Sequence, residues 1–255
     1  MSSALRFVFT DARIWRYILR VLADYLETIG IKISPSEGVR IRAMDPSRVM
    51  LLDFSIPTTA FEEYIVEKEE ILFLNLESVS KILRRAMKMD KFALLSNGTK
   101  LTIALISKGG TQRSFTLPLI SSTYEEIPEL SLEFKAIAKV IGPIFATTIS
   151  VLEEVGEAVR FRVLREGLSI SSPSELGEIE FLFTTTSGTL IDYQIIEDIQ
   201  EFSNAYSMEY VSMLSQLSKL AETVSIKLAP EAPCEIALDM ANGAQLKVYI
   251  APRIE

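Results

Sequence analysis

Histidine does not occur anywhere in the 255 residues. That excludes imidazole acid–base chemistry, Ser-His-Asp and Cys-His nucleophiles, and His-ligated zinc. Cysteine occurs once, as Cys234, so neither an internal disulfide nor a Cys-cluster metal site can form, and a reducing compartment is expected. Long apolar runs are also missing. No stretch approaches the roughly 18 residues that a membrane helix needs, and the opening MSSALRFVFT alternates instead of building a secretory core. The expectation is a soluble protein of the cytoplasm. Positive charge is in deficit, with 26 Lys and Arg against 34 Asp and Glu and a formal net charge of −8. Such a balance argues against a nucleic-acid coat over the whole surface, while leaving open where the cations sit. What remains is an ordinary globular composition, 48% apolar and 24% charged, long enough for one large domain or two ordinary ones.

Comparison of the chain with itself gives an ordered internal repeat. Leu5-Arg-Phe7 returns as Leu132-Glu-Phe134, and Gly30 after LETI returns as Gly156 after LEEV. Glu37-Gly38-Val39-Arg-Ile41 returns as Glu166-Gly167-Leu168-Ser-Ile170, and Phe54 as Phe183. Val79-Ser80 matches Val211-Ser212, Ile103-Ala-Leu105 matches Ile236-Ala-Leu238, and Pro118-Leu-Ile120 matches Pro252-Arg-Ile254. The offset drifts slowly from 126 to 134, as small loop insertions would produce. Two domains are therefore expected, 1–118 and 132–255, joined by a linker at 119–131 (LISSTYEEIPELS) that has no sustained period.

Each copy reads as strand, helix, several strands, helix, several strands. In the first, Leu5–Thr10 alternates, Asp11 suits a helix N-cap, and Arg13–Ile29 has helical period up to Gly30. Strands are expected at 31–34, 38–43 and 49–56, a second helix at Leu76–Met89, and further strands at 92–96, 100–106 and 113–117, with Asn97-Gly98 and Gly109-Gly110 as hairpin turns. The second copy offers a strand at Leu132–Ile141, Pro143 in a first helical turn, helices at Ile144–Glu154 and Met208–Ala221, and a hairpin at Asn242-Gly243. The fold class is α+β, two repeated domains of sheets with two helices each.

At 100° per residue, Ile14, Ile18, Val21, Leu22, Tyr25 and Leu26 form one stripe of the first helix, and Arg13, Arg16 and Arg20 fall opposite it. In the second helix Val79, Ile82, Leu83, Ala86 and Met87 form the stripe, with Lys81, Arg84, Arg85 and Lys88 on the far face. A solvated face is the bland reading of either helix. Like charge on both, in an acidic chain, points to an anionic partner instead. The second copy is poorer, with Lys219 on its last helix and only Thr147, Ser150, Glu153 and Glu154 on the one before.

Ala43-Met-Asp-Pro-Ser-Arg-Val49, Ser207-Met-Glu-Tyr-Val211, Glu126-Ile-Pro-Glu129 and the final Leu246-Lys-Val-Tyr-Ile-Ala-Pro-Arg-Ile-Glu255 resemble the proliferating-cell-nuclear-antigen family of DNA sliding clamps over the whole chain. The end at Glu255 without an acidic tail is more similar to archaeal than to eukaryotic members. The resemblance implies the DNA clamp fold, a pseudo-sixfold ring of three subunits, identical or related, around duplex DNA. It implies no catalytic residue, metal or cofactor, and partner enzymes (polymerase, flap endonuclease, ligase, clamp loader) that dock a PIP-box peptide under the linker.

By that resemblance Arg16, Lys81, Arg84 and Lys219 match DNA-facing positions; Arg13, Arg20, Arg85 and Lys88 join them on helical geometry alone. The partner pocket maps to Met44, Arg48, Val49, Ile127, Pro128, Pro233, Tyr249, Ile250, Ala251 and Pro252. Ring closure needs a head-to-tail interface, for which Thr111–Leu117 (Arg113, Phe115, Leu117) and Leu176–Phe183 (Ile179, Phe181) are candidate edge strands. Two departures stand out: the third helix lacks arginine, and Glu125-Glu126 stand before Ile127-Pro128, which favours ligands with basic flanks. Phosphate contacts without base readout suit a protein that slides. Two other readings compete, a peptide-binding scaffold that ignores DNA and a hydrolase using Asp45 with Asp53 or Glu153 with Glu154, although neighbours on a helix point about 100° apart.

Overall fold

Alternation of buried and exposed side chains separates strand from helix along the chain, and in the computed structural model, which describes residues 5–175, 177–196 and 200–254, it does so twice in the same order. Contacts divide the chain into two units. One comprises Met1–Pro46, Asp53–Pro128 and Asn242–Ala244; the other comprises Ser47–Leu52, Glu129–Ala241 and Gln245–Glu255.

The first pass of the chain runs β1 (Leu5–Phe9), α1 (Ala12–Ala23), β2 (Thr28–Ser34), β3 (Gly38–Met44), β4 (Met50–Ile56), β5 (Phe61–Ile65), β6 (Glu70–Asn75), α2 (Leu76–Leu83), β7 (Lys91–Ser96), β8 (Lys100–Ile106) and β9 (Gln112–Pro118). Its strands lie in the orders β5-β1-β7-β8-β9 and β4-β3-β2-β6. The second pass runs β10 (Ala136–Ile141), α3 (Gly142–Glu153), β11 (Ala158–Val163), β12 (Gly167–Ser174), β13 (Gly177–Thr184), β14 (Leu190–Ile195), β15 (Phe202–Ser207), α4 (Met208–Ser212), α5 (Ser215–Ser218), β16 (Ala221–Leu228), β17 (Cys234–Met240) and β18 (Gln245–Ile250). Its orders are β14-β10-β16-β17-β18 and β13-β12-β11-β15, the first pattern with every strand number raised by nine.

The best of the sequence matches occupy equivalent places for a steric reason. Gly38 and Gly167 open β3 and β12, and a Cβ on either would lie 2.0 Å from the Ile56 carbonyl oxygen or 1.9 Å from that of Phe183. Only glycine allows so close an approach, and Gly38 adds a φ of +91°. Val79 of α2 and Val211 of α4 are both fully buried, as are Ile103 of β8 and Ile236 of β17. Those two isoleucines pair with Phe115 and Val248 on the next strand, keeping one offset.

Other matches fail. Leu132–Phe134 precedes β10, which begins only at Ala136. Gly30 lies inside β2 while Gly156 precedes β11, so the two are not equivalent.

The cores differ in kind. In the first unit Trp15 of α1 stacks on Phe92 at 4.4 Å between ring centroids, within a group that includes Phe7, Phe9, Phe54 and Phe61. Buried aromatic rings of this size dominate the energetics of a core. The second unit relies more on aliphatic side chains such as Val140, Ile149, Leu168 and Val224, all fully buried.

Helix lengths depart from the periodicity. α1 stops at Ala23 because Thr28 and Ile29 pair with Asn75 and Leu74 of β6, and that pairing overrides a helical pattern. α2 stops at Leu83; Arg84 caps it, and Met89 at φ +75° cannot continue a helix. The expected helix Met208–Ala221 is two short ones, broken at Met213–Leu214, and Ala221 already opens β16. β5 and β6, which carry acids at Glu62, Glu63 and Glu70, do not separate from turns by their pattern.

Candidate nucleic-acid interface and partner surface

α1 and α2 pack against each other in the first unit. α1 buries Ile14, Trp15, Ile18, Leu19 and Leu22, α2 buries Val79, Ile82 and Leu83, and their remaining sides carry the cations. Asp11 caps α1, its carboxylate accepting from the Arg13 backbone N–H at 2.9 Å. The same carboxylate accepts from Arg13 Nη2 at 2.7 Å, and this hydrogen bond raises the pKa of the guanidinium. On α2, Lys81 donates to Glu77 one turn earlier, which lowers the Glu77 pKa. Two of the eight candidate cations, Arg13 and Lys81, thus have an acidic partner within their own unit, on faces that read as almost purely basic in the sequence.

Arg16, Arg20, Arg84, Arg85, Lys88 and Lys219 make no ion pair among the described residues. Arg20, Arg84, Arg85, Lys88 and Lys219 are exposed, and Arg16 is half-buried with its guanidinium 5.5 Å from the Tyr17 ring centroid. Arg85 and Lys88 lie beyond the end of α2 rather than on its far face. Arg85 instead reaches the Phe115 ring on β9, at 5.8 Å, and its carbonyl accepts from Arg113 Nη1. Arg113 also binds Asp90, a buried carboxylate that accepts from the Met87 backbone N–H. This chain of contacts ties the 84–90 loop to β9.

In the second unit α3 packs on α4 and α5. Its exposed positions are Pro143, Thr147, Val151, Glu153 and Glu154, and the Thr147 hydroxyl turns back to the Pro143 carbonyl at 3.0 Å. Lys219 caps α5 as the one exposed cation of this helix layer, with Glu209 also exposed.

The candidate partner residues fall in both units. In the first, Met44 ends β3, half-buried, and Arg42 of the same strand donates to the Pro128 carbonyl at 2.6 Å, which brings the linker to β3. Ile127 is half-buried and Pro128 exposed. In the second, the Ala251 N–H donates to the Val49 carbonyl at 2.9 Å, Arg48 is exposed at φ +59°, and Tyr249, Ala251, Pro252 and Pro233 are half-buried. Ile250 is a correction: it is fully buried and paired with Cys234 across β17 and β18, so its side chain is core.

Asn204 was missed. Buried in β15, its amide donates to the Ala229 carbonyl at 2.7 Å and its oxygen accepts from the Glu231 N–H at 3.1 Å, while Tyr206 donates to the Ala232 carbonyl. Together they fix the loop that presents Pro233. The spacing Asn204-x-Tyr206, two polar groups on one face of a strand, was the available signal.

β9 and β13 each stand at the end of their strand order and, among the described residues, pair on one side only, with β8 and with β12. Gln112–Pro118 alternates exposed and half-buried side chains; Ile179 is exposed and Phe181 half-buried on β13, and Leu176 lies outside the described residues. The carboxylates considered for hydrolysis form no acid–base pair that the geometry would support. Asp53 accepts from Arg40 twice and from Arg42 once, and Glu153 and Glu154 are solvated side by side. No group of three or more acidic or Cys side chains able to hold a metal occurs among the described residues.

Two family models match the chain, the N-terminal domain of proliferating cell nuclear antigen over residues 4–121 and its C-terminal domain over 126–253. DNA polymerase sliding clamp 3 of Aeropyrum pernix is 33% identical over 98% of both chains, and a DNA polymerase sliding clamp of Thermofilum pendens is 32% identical over 98% of this chain and 100% of its own. Among solved structures, the PCNA2–PCNA3 complex of Sulfolobus tokodaii superposes with a TM-score of 0.88 at 30% identity, covering 98% of this chain and all of the other. PCNA of Thermococcus kodakaraensis gives 0.86 at 25% identity, with the same coverage. With the strand order duplicated and both halves matched, the chain belongs to the proliferating cell nuclear antigen family of DNA sliding clamps.

Proposed function

We propose that this chain is one subunit of a three-membered ring that encircles duplex DNA and tethers replication and repair enzymes without catalysing a reaction itself. Its domains are 1–118 and 132–255, with 119–131 as the connecting linker. What carries the reading is the set of cations on α1, on α2 and in the 84–90 loop that follows it, five of them (Arg16, Arg20, Arg84, Arg85 and Lys88) without an internal ion pair among the described residues of an acidic chain. Lys and Arg bound to phosphates hold position without reading bases, so the contacts interchange as the ring moves. Acids elsewhere repel DNA from the outer surface.

Arg16, Arg20, Arg84, Arg85, Lys88 and Lys219 face the duplex; Arg13 and Lys81 contribute less because Asp11 and Glu77 already hold them. The edges of β9 and β13, one from each half of the chain, join head to tail, an arrangement that closes into a ring. Partner enzymes dock PIP-box peptides beside the linker, at Met44, Ile127 and Pro128 of the first unit; Val49, Pro233, Tyr249, Ala251 and Pro252 of the second unit are the further candidates that the family resemblance gives. The protein works in the cytoplasm, with the nucleoid.

Retention on DNA of two topologies tests the reading. Loaded protein stays on a nicked circle and runs off when the circle is cut; equal loss from both refutes encirclement. Sedimentation of the purified chain separates a ring of identical subunits from one that needs related chains.

A further inference from the structure

The linker has almost no regular structure of its own, so its course depends on what holds it. Three attachments recur four residues apart. Ile120 bridges Phe73 of β6. The Tyr124 ring lies where a side chain on Gly30 of β2 would be, its Cδ2 2.8 Å from that Cβ position, with Phe73 at 3.2 Å. The Pro128 carbonyl accepts from Arg42 of β3 at 2.6 Å. The linker thus crosses β6, β2 and β3 in their order within the sheet, over the face that their core residues leave free. On β3 that face is defined by alternation: Val39, Ile41 and Ala43 are buried in the core, while Arg40, Arg42 and Met44 point the other way.

Arg42 is an unusual residue for the job. It is 7% exposed, and a buried guanidinium is tolerated only when paired. Asp53 of β4, also 7% exposed, supplies the pair, with Arg42 Nη1 at 2.8 Å and Arg40 held in a two-pronged bond at 2.8 and 2.6 Å. Well-packed apolar residues often equal such a pair in stability, so the charge has another use. The planar fork points one nitrogen at Asp53 and the other at the linker, which the single ammonium of lysine cannot do.

We propose that Gly30, Tyr124 and the Arg42–Asp53 pair form a latch that fixes the linker, with Arg42 as the positioning residue that sets Ile127 and Pro128 beside Met44 for partner peptides. The proposal rests on the partner-surface reading above. Pre-ordering the linker spares a peptide that cost on binding.

Two variants test it independently. Arg42→Met leaves the Arg40–Asp53 pair intact, so no buried carboxylate is orphaned. Gly30→Ala displaces the Tyr124 ring without touching charge. The readouts are amide hydrogen exchange along 119–131 and the affinity of a fluorescein-labelled synthetic PIP-box peptide, with far-UV circular dichroism as the fold control. The expected result is faster exchange confined to the linker and about tenfold weaker peptide binding in each variant. Arg42→Lys, which can serve Asp53 or Pro128 but not both, restores part of the loss. Peptide affinity within about twofold of the unaltered chain in both variants, or linker exchange unchanged, overturns the latch. Exchange that rises equally through β7, β8 and β9 overturns it too, because the effect is then general destabilisation. If the unaltered chain binds no peptide, the partner reading fails, and the exchange pattern still decides whether the latch exists.

Discussion

Glu77→Gln is expected to strengthen the grip on DNA, although it lies on a helix whose cations were the reason to expect DNA at all. Lys81 pairs with Glu77 one turn away, so the two together carry no net charge and the carboxylate competes with, and repels, an arriving phosphate. Each cation that meets a phosphate of duplex DNA displaces about 0.9 counterion, and the logarithm of affinity falls by that slope against the logarithm of salt. Between about 50 and 200 mM salt, one contact therefore changes affinity roughly 3.5-fold. Glu77→Gln should steepen the slope by about 0.9 for each subunit that gains a contact, and Arg84→Gln, on an exposed cation without an ion pair, should flatten it by as much. Removing the pair as Glu77→Gln with Lys81→Gln should leave it nearly unchanged. Fluorescence anisotropy of a labelled duplex, titrated at several salt concentrations with the oligomer checked by sedimentation, gives the slopes. Should Lys81→Gln alone flatten the slope as much as Arg84→Gln while Glu77→Gln does nothing, Lys81 would already be on the DNA, and internal pairing would not decide which cations act.

Four further outcomes follow from the same geometry. Thr147→Arg on α3 gives up only a hydroxyl bond to Pro143 in its own helix and should add a phosphate contact, read as a steeper salt slope with unchanged oligomer size. Gly38→Ala and Gly167→Ala should each lower stability by about 3 kcal/mol or more, Gly38→Ala the further because its φ is positive, as shown by urea midpoints. Cys234 is buried and burial pushes its thiol up to about 12, so it should resist a thiol reagent at pH 8 until denaturant is added. Burial pushes Tyr64 and Tyr193 up to about 12, above the ordinary value of 10.0, so their contribution to stability is full below pH 10 and is lost as pH rises through about 12. Tyrosinate absorbance followed against unfolding should show the last tyrosines ionising together with the loss of structure.

The hairpins, the central strands and the repeat were legible because they depend on local chemistry. Gly98, Gly110 and Gly243 have positive φ where a turn needs it, and β8 was bounded to the residue. Helix ends were not legible, because they are decided by partners far away: Thr28 and Ile29 continue a helical pattern until β6 claims them. The cations were found, but their partners were overlooked in plain view. Glu77 and Lys81 stand four apart, the spacing at which helical acid and base meet, and Asp11 was identified as a cap without its second contact to Arg13. Ile250 shows the opposite error. A motif match suggested a binding role, whereas its alternation with Leu246 and Val248 already marked it as inward-facing. No local pattern could have joined Arg42 to Pro128 across 86 positions.

The two halves of the chain diverge where packing permits it and agree where packing forbids it. A Cβ on Gly38 or Gly167 would strike a neighbouring carbonyl, so the glycine is kept twice. Val79 and Val211 fill equivalent buried positions and are likewise kept. The solvent-facing sides of the helices meet no such constraint. α1 and α2 carry arginine and lysine there, while α3 carries proline, threonine, valine and glutamate. If charge on the helices served only solubility, either sign would do and both layers would drift alike, because a solvated face tolerates acid and base equally. Concentration of unpaired cations on one layer of an acidic chain is what a phosphate backbone selects. On this reading the α3–α5 layer, with Lys219 as its exposed cation beside Glu153, Glu154 and Glu209, contributes little to the hold on DNA, and the cations of α1, α2 and the loop after α2 supply most of it.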